Sequence, residues 1–208
     1  MTEPYNPLDI SNIGESITNA LLQLEPVPLD DLPNRRFGGA GIYAIYYTGP
    51  FAPYALVTQA NRNGKWGQPI YVGKAVPSGG RRGISVGTTT QALFDRLRQH
   101  RTSVIAATNL DLGDFHCRWL VIEPIWIPLG ESLLINRFQP VWNGLVDGFG
   151  NHDPGAGRLK GMRSAWDVLH PGRTWADNLA SRNQTPQSIT QDALEYLRQR
   201  VDPTQFLR

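Results

Sequence analysis

The chain has 208 residues, of which 40% are hydrophobic and 10% aromatic, with a formal net charge of +2. That is enough apolar material for one well-buried core, while no run approaches the roughly 18 uninterrupted apolar residues of a membrane-spanning helix. The opening "MTEPYNPLDI" has neither the basic nor the apolar part of a secretory signal. The single cysteine, Cys117, excludes an internal disulfide and a cysteine-built zinc cage, so a cytoplasmic location with no membrane partner is expected.

In chain order, residues 1–39 read as an acidic N-terminal arm, with six acids before the first base at Arg35. Ile13, Ile17, Leu21 and Leu24 recur at helical spacing until Pro26, Pro28 and Pro33 interrupt them, and the arm is expected to pack on the domain or to clamp a dimer. "GIYAIYY", residues 41–47, reads as a buried strand, yet it carries three tyrosines, and each buried phenol requires a hydrogen-bond partner. "PIYVG", residues 69–73, reads as a second strand able to pair with the first as an antiparallel hairpin, across a polar connection with a turn at Asn63 and Gly64. Next comes "VPSGGRRGISVGTTT", a glycine- and serine-rich insertion over about 75–90, which holds Arg81 and Arg82 and has the length of a binding loop.

Thr88 to Thr90 announce a helix over "QALFDRLRQHR", on which Arg96 and His100, four apart, share a face. Residues 111–127 offer a strand, with Phe115, Cys117, Trp119 and Val121 alternating against His116, Arg118, Leu120 and Ile122. "ESLLINRFQP" predicts a short helix opening at Glu131, and "VWN" an extended piece ending at Asn143. Residues 146–208 read as a glycine- and aromatic-rich extension packed on the 40–145 core, closing in an amphipathic helix over "SITQDALEYLRQRV". The order of elements predicts an α+β (α/β) fold, a small mixed or antiparallel sheet flanked by helices.

Charge is unevenly spread. Residues 62–118 hold nine bases against three acids, and seventeen of the twenty basic residues are arginine. A basic middle points to an anionic partner, and arginine suits bidentate contacts to phosphates and guanine edges.

A phenol at Tyr43, another at Tyr71, Arg96, His100, the carboxylate of Glu131 and the amide of Asn143 are polar groups able to converge, and none forms a covalent-catalysis triad. "GIY" at 41–43, "YVG" at 71–73, then Arg96, His100, Glu131 and Asn143 in "PVWN" resemble the GIY-YIG nuclease superfamily over residues 41–143. "YVGKAVP", "LDLGDFHCRW", "WNGLVDGFGNHDPGAGR" and "WDVLHPGRTWA" further resemble the type II restriction endonucleases of that superfamily that cut CCGCGG, extending the likeness over most of 38–178. Valine replaces isoleucine in the second tripeptide, and the long gap from Tyr43 to Tyr71 implies an insertion in the first hairpin.

The resemblance implies magnesium-dependent hydrolysis of double-stranded DNA, with one divalent ion on Glu131. Tyr43 is implied as general base, with Lys74 or His100 as the neighbour that assists it, because a phenol's own pKa is about 10. Tyr71 would bond the water or the phosphate, Arg96 would carry the phosphate's charge, and Asn143 would orient the metal ligand or close the site. A palindromic site implies a homodimer and, as functional partner, a cytosine DNA methyltransferase. Arg81, Arg82, Arg158, Lys160, Arg163 and Arg173 are the candidate DNA contacts, and His152 in "GNHDPG" a further one; His116 and His170 read as packing or surface residues. Two alternatives stand beside this reading: a structure-directed or repair nuclease of the same superfamily, and a catalytically silent DNA-binding module. The short chain opposes the first and the intact residue series opposes the second.

Overall fold

A computed structural model of the chain describes residues 9–77, 90–153 and 161–201. Within them β1 (Val27–Pro28), β2 (Gly41–Tyr47), β3 (Tyr71–Ala75) and β4 (Phe115–Val121) form one antiparallel sheet in the order β1-β4-β2-β3. The helices are α1 (Ile10–Leu22), α2 (Ala55–Asn61), α3 (Ala92–Ala106), α4 (Ile127–Phe138), α5 (Val141–Gly144), α6 (Ala165–Leu169) and α7 (Pro186–Arg200).

All seven residues of β2 are buried because helices cover both faces of the sheet. Successive side chains on a strand point to opposite faces. Tyr43, Ile45 and Tyr47 therefore join a large core with Leu97 of α3, Trp142 of α5, Trp166 of α6 and Leu197 of α7. Ile42, Ala44 and Tyr46 join a smaller one with Leu21 of α1 and Ile127 and Leu134 of α4. The acidic arm thus packs on its own chain, Gly14 of α1 lying against Leu133 of α4. Two of the strand's phenols find structural partners: Tyr46 accepts from Arg118 Nη1 at 3.1 Å, and Tyr47 from the backbone N–H of Phe51 at 3.0 Å. Cys117 is a buried hydrophobe whose thiol is pushed up to about 12 by burial.

The fold departs from the sequence expectations in four places. The connection between β2 and β3 contains α2, whose Asn61 side chain bonds the carbonyls of Tyr47 and Gln68 and so ties the two strand ends together. The strand expected over 111–127 is shorter, since 3-10 turns at Leu112–Asp114 and Pro124–Trp126 bound it; the first is fixed by Asp111 accepting from Gly113 N–H. Helix α4 begins at Ile127, so Glu131 sits one turn inside it: Pro128 suits a first turn whose N–H groups need no helical partner, and Gly130 lets α4 lie close over Ile17, Ile42 and Ile122. Residues 141–144 are one helical turn rather than extended, because Gln139 ends α4 in the left-handed region (φ 42°) and Pro140 then starts a new helix.

Candidate active site

Strand register explains both tripeptides. Tyr43 stands opposite Gly73 across the β2–β3 ladder, and a side chain at 73 would meet the Tyr43 hydroxyl at 2.3 Å. Gly41 meets the backbone of β4, where an added Cβ would lie 2.0 Å from the Leu120 carbonyl oxygen. The glycines thus let the phenol lie across β3 and let the strands approach.

Tyr43 is fully buried, and its hydroxyl is 2.6 Å from His100 Nε2. Tyr71 enters from the same face of β3, its ring 5.1 Å from that of His100. Burial raises the pKa of both phenols, Tyr43 well above the ordinary range, and the charge of Arg96, one turn before His100 on α3, acts in the opposite direction on both. Burial is also the main reason that His100 is held well below the usual histidine range, with the charges of Arg96, His152 and Arg173 acting the same way. The neutral imidazole is therefore the resident form, with Nε2 able to accept the Tyr43 proton.

Glu131 approaches from α4, on the opposite face of the edge strand, and its charge is felt by both phenols. Its carboxylate is 2.6 Å from Lys74 Nζ. This corrects the expectation for Lys74: it pairs with Ile42 in the ladder, points away from Tyr43 and meets Glu131, leaving His100 as the group at the phenol. Asn143 is placed differently as well. Its side chain accepts from Val72 N–H at 2.8 Å and donates to Val72 O at 2.7 Å, imitating a further strand on the outer edge of β3. It thereby fixes the strand that carries Tyr71, Gly73 and Lys74.

Among the described residues, no three His, Cys, Asp or Glu gather into a metal cage. A lone, partly exposed carboxylate such as Glu131 fits an ion that keeps most of its waters and takes substrate oxygens, which is the behaviour of magnesium. Cage-forming metals would need more protein ligands.

The C-terminal extension adds to the site. Phe149 stacks on His100 (ring centroids 4.5 Å apart, 18° between planes) and packs on Tyr71, while the Gly150 carbonyl accepts from Arg96 Nη2 at 3.0 Å. Neither residue stood out in the sequence, although both lie in the "DGFGNHDPG" stretch that matched the restriction enzymes.

The Eco29kI GIY-YIG domain family matches residues 35–197. The chain belongs to this family. It is a GIY-YIG nuclease, and the match takes in both tripeptides, α3, α4, Asn143 and most of the extension. No curated protein matches the chain.

The expected DNA contacts of this GIY-YIG nuclease divide into three groups. Arg81, Arg82, Arg158 and Lys160 lie outside the described residues. Arg163 donates to the Ala176 carbonyl and pairs with Asp177, keeping partial exposure. Arg173 does not fit the role: it is 5% exposed and pairs with buried Asp167 at 2.7 Å, its guanidinium otherwise spent on the carbonyls of Gly148, Phe149 and Asn151. His170, read from sequence as bland, lies in a buried chain of hydrogen bonds. Trp142 Nε1 donates to Tyr54, whose hydroxyl is 2.7 Å from His170 Nε2, and His170 Nδ1 is 2.9 Å from Asn109 Oδ1.

Proposed function

We propose that this nuclease is a type II restriction endonuclease that hydrolyses double-stranded DNA at a GC-only palindrome, CCGCGG, as a homodimer with one magnesium ion per active site. The observation that carries this reading is the Tyr43–His100 pair beside Tyr71 and Arg96, at the strand edge where Glu131 also lies. The family's name and the extension's part in the site support the narrower assignment.

Magnesium on Glu131 would supply charge neutralisation at the phosphate and a more acidic water. Lys74, the present partner of that carboxylate, would share it or turn toward a phosphate oxygen. Burial disfavours a free Tyr43 phenolate, so the chemistry suits a relay: as the phenol oxygen takes a proton from the attacking water, its own proton passes to His100 Nε2. The pair thus never carries an isolated negative charge. Burial chiefly, and Arg96 after it, depress His100 in the free enzyme; once the Arg96 charge is met by the scissile phosphate, that part of the depression is relieved and the imidazole becomes a better base at the moment a base is needed. Arg96 then stabilises the charge that builds on the phosphate oxygens as the bond to the leaving oxygen breaks. Arg81, Arg82, Arg158, Lys160 and Arg163 are the proposed contacts to bases and phosphates, and a cytosine methyltransferase is the proposed cellular counterpart.

The test is plasmid cleavage with magnesium, followed by mapping of the ends. Discrete fragments ending at one palindrome support the proposal; random nicks, or cuts at branched substrates alone, would replace it with a structure-directed nuclease. Glu131→Gln is expected to abolish cleavage with specific binding retained.

A further inference from the structure

Arg96 is held from outside the tyrosine and glycine series. Its Nη1 is hydrogen-bonded to His152 Nε2 and lies 3.2 Å from Gln99 Oε1, while Nη2 donates to the Gly150 carbonyl. His152 and Gly150 belong to one short segment, and that segment is anchored from below. Arg173 donates to the carbonyls of Gly148, Phe149 and Asn151, and its own place is set by the buried pair with Asp167, which Ser164 also bonds. Gly148, at φ 101° and tight against Ser164, makes the turn that brings the segment over α3.

We propose that His152 is a positioning residue for Arg96: its neutral imidazole accepts from the guanidinium and, with the Gly150 carbonyl, aims the remaining donors at the scissile phosphate and the two phenols. The inference rests on the preceding reading, in which Arg96 meets that phosphate. A guanidinium has five donors and no acceptor, on a stem that samples many rotamers unless acceptors fix it. The choice of acceptor matters electrostatically. A carboxylate would fix Arg96 equally well but would cancel the charge needed at the phosphate, whereas an imidazole and a carbonyl orient it and leave its charge intact.

The device works with the imidazole unprotonated, since a histidinium has no lone pair to offer Arg96 and repels it. The groups that face His152 are Arg96 and His100 from α3 and Arg173 from the extension, with Asp153 next in the chain. Burial, then Arg96 and Arg173, hold the His152 ring below the usual histidine range, less far than His100. On acidification His152 is therefore the first of the two to take a proton.

The experiment compares wild type, His152→Ala, His152→Gln and Arg96→Ala on a duplex carrying CCGCGG with magnesium, recording kcat and KM from pH 5 to 8. His152→Ala should lower kcat about ten- to a hundredfold and move KM less than about threefold. His152→Gln keeps an uncharged acceptor that takes no proton; it should recover to within about threefold of wild type at neutral pH and carry the acid limb of kcat to lower pH. Three results would overturn the inference: His152→Ala cleaving within about twofold of wild type, a loss confined to KM, which would make His152 a DNA contact, or a glutamine variant with the wild-type acid limb. Arg96→Ala separates the two levels of argument. Full activity in that variant sinks the reading of the site itself, whereas a dead Arg96→Ala beside a normal His152→Ala sinks the positioning role alone.

Discussion

Gly73→Ala tests whether the strand pairing itself shapes the site. The added Cβ would lie 2.3 Å from the Tyr43 hydroxyl oxygen and 2.6 Å from Cζ, where ordinary contact begins near 3.4 Å. Tyr43 is fully buried, so the ring cannot swing toward solvent and must shift by roughly 1 Å within a packed core. Forcing such a shift typically costs about 1–3 kcal/mol of stability. The functional cost should be greater. A hydroxyl moved that far loses its 2.6 Å bond to His100, and a displacement of about 1 Å at a reacting group lowers turnover about a hundredfold. The assay is the initial rate of plasmid cleavage, alongside urea denaturation followed by circular dichroism and specific binding to a CCGCGG duplex. Slow cleavage with retained fold and binding is expected. A Gly73→Ala protein that cuts within about threefold of wild type would refute the claim that the phenol's seat on β3 is needed for catalysis.

The other predictions concern the supports of the site. Arg173→Met should destabilise the protein by about 3–5 kcal/mol in urea denaturation, because Asp167, only 2% exposed in its side chain, loses its charge partner; unchanged stability with weakened DNA binding would return Arg173 to the DNA surface. Asn143→Ala strips both partners from the Val72 backbone and should cost about 1–3 kcal/mol, seen as faster amide exchange at Val72, whereas wild-type protection there would deny it the edge-pairing role. Acid should destabilise the fold well before the carboxylates titrate. Burial holds His170 at about 3 and His100 well below its usual range, so the unfolded chain, with histidines near 6.5, takes up protons first. Stability is then full above about pH 6.5 and falls as the pH drops toward 5, by up to about 1.4 kcal/mol per pH unit for each histidine; a constant urea midpoint over that window would contradict the buried neutral state.

Much of the architecture follows from local pattern. Burial of β2 on both faces, the β2–β3 hairpin and helices α1, α3 and α7 were legible because short apolar runs bounded by turn residues and helical spacing persist through those segments. The starts of α4 and α5 were misread for a local reason too. Proline tends to end one element and also suits the start of the next, and here Pro128 lies in the first turn of α4 and Pro140 caps α5. Helix α2 is too short for its spacing to stand out, and its purpose, tying Tyr47 to Gln68 through Asn61, exists only when the strand ends are adjacent.

Sequence order alone determined which side chains were candidates: two phenols, a guanidinium, an imidazole, a carboxylate and an amide, strung across about half the chain. Tertiary structure decided what each one meets. It gave Tyr43 to His100 and Lys74 to Glu131, set Asn143 on the backbone of β3, and drew Phe149, Gly150 and His152 from the extension to the helix carrying Arg96. It also buried Arg173 against Asp167. The physical reason is that an arginine's neighbours in the chain are alike whether it meets a phosphate or a buried carboxylate, and the choice is made by which partner the packed sheet and helices bring within hydrogen-bonding distance.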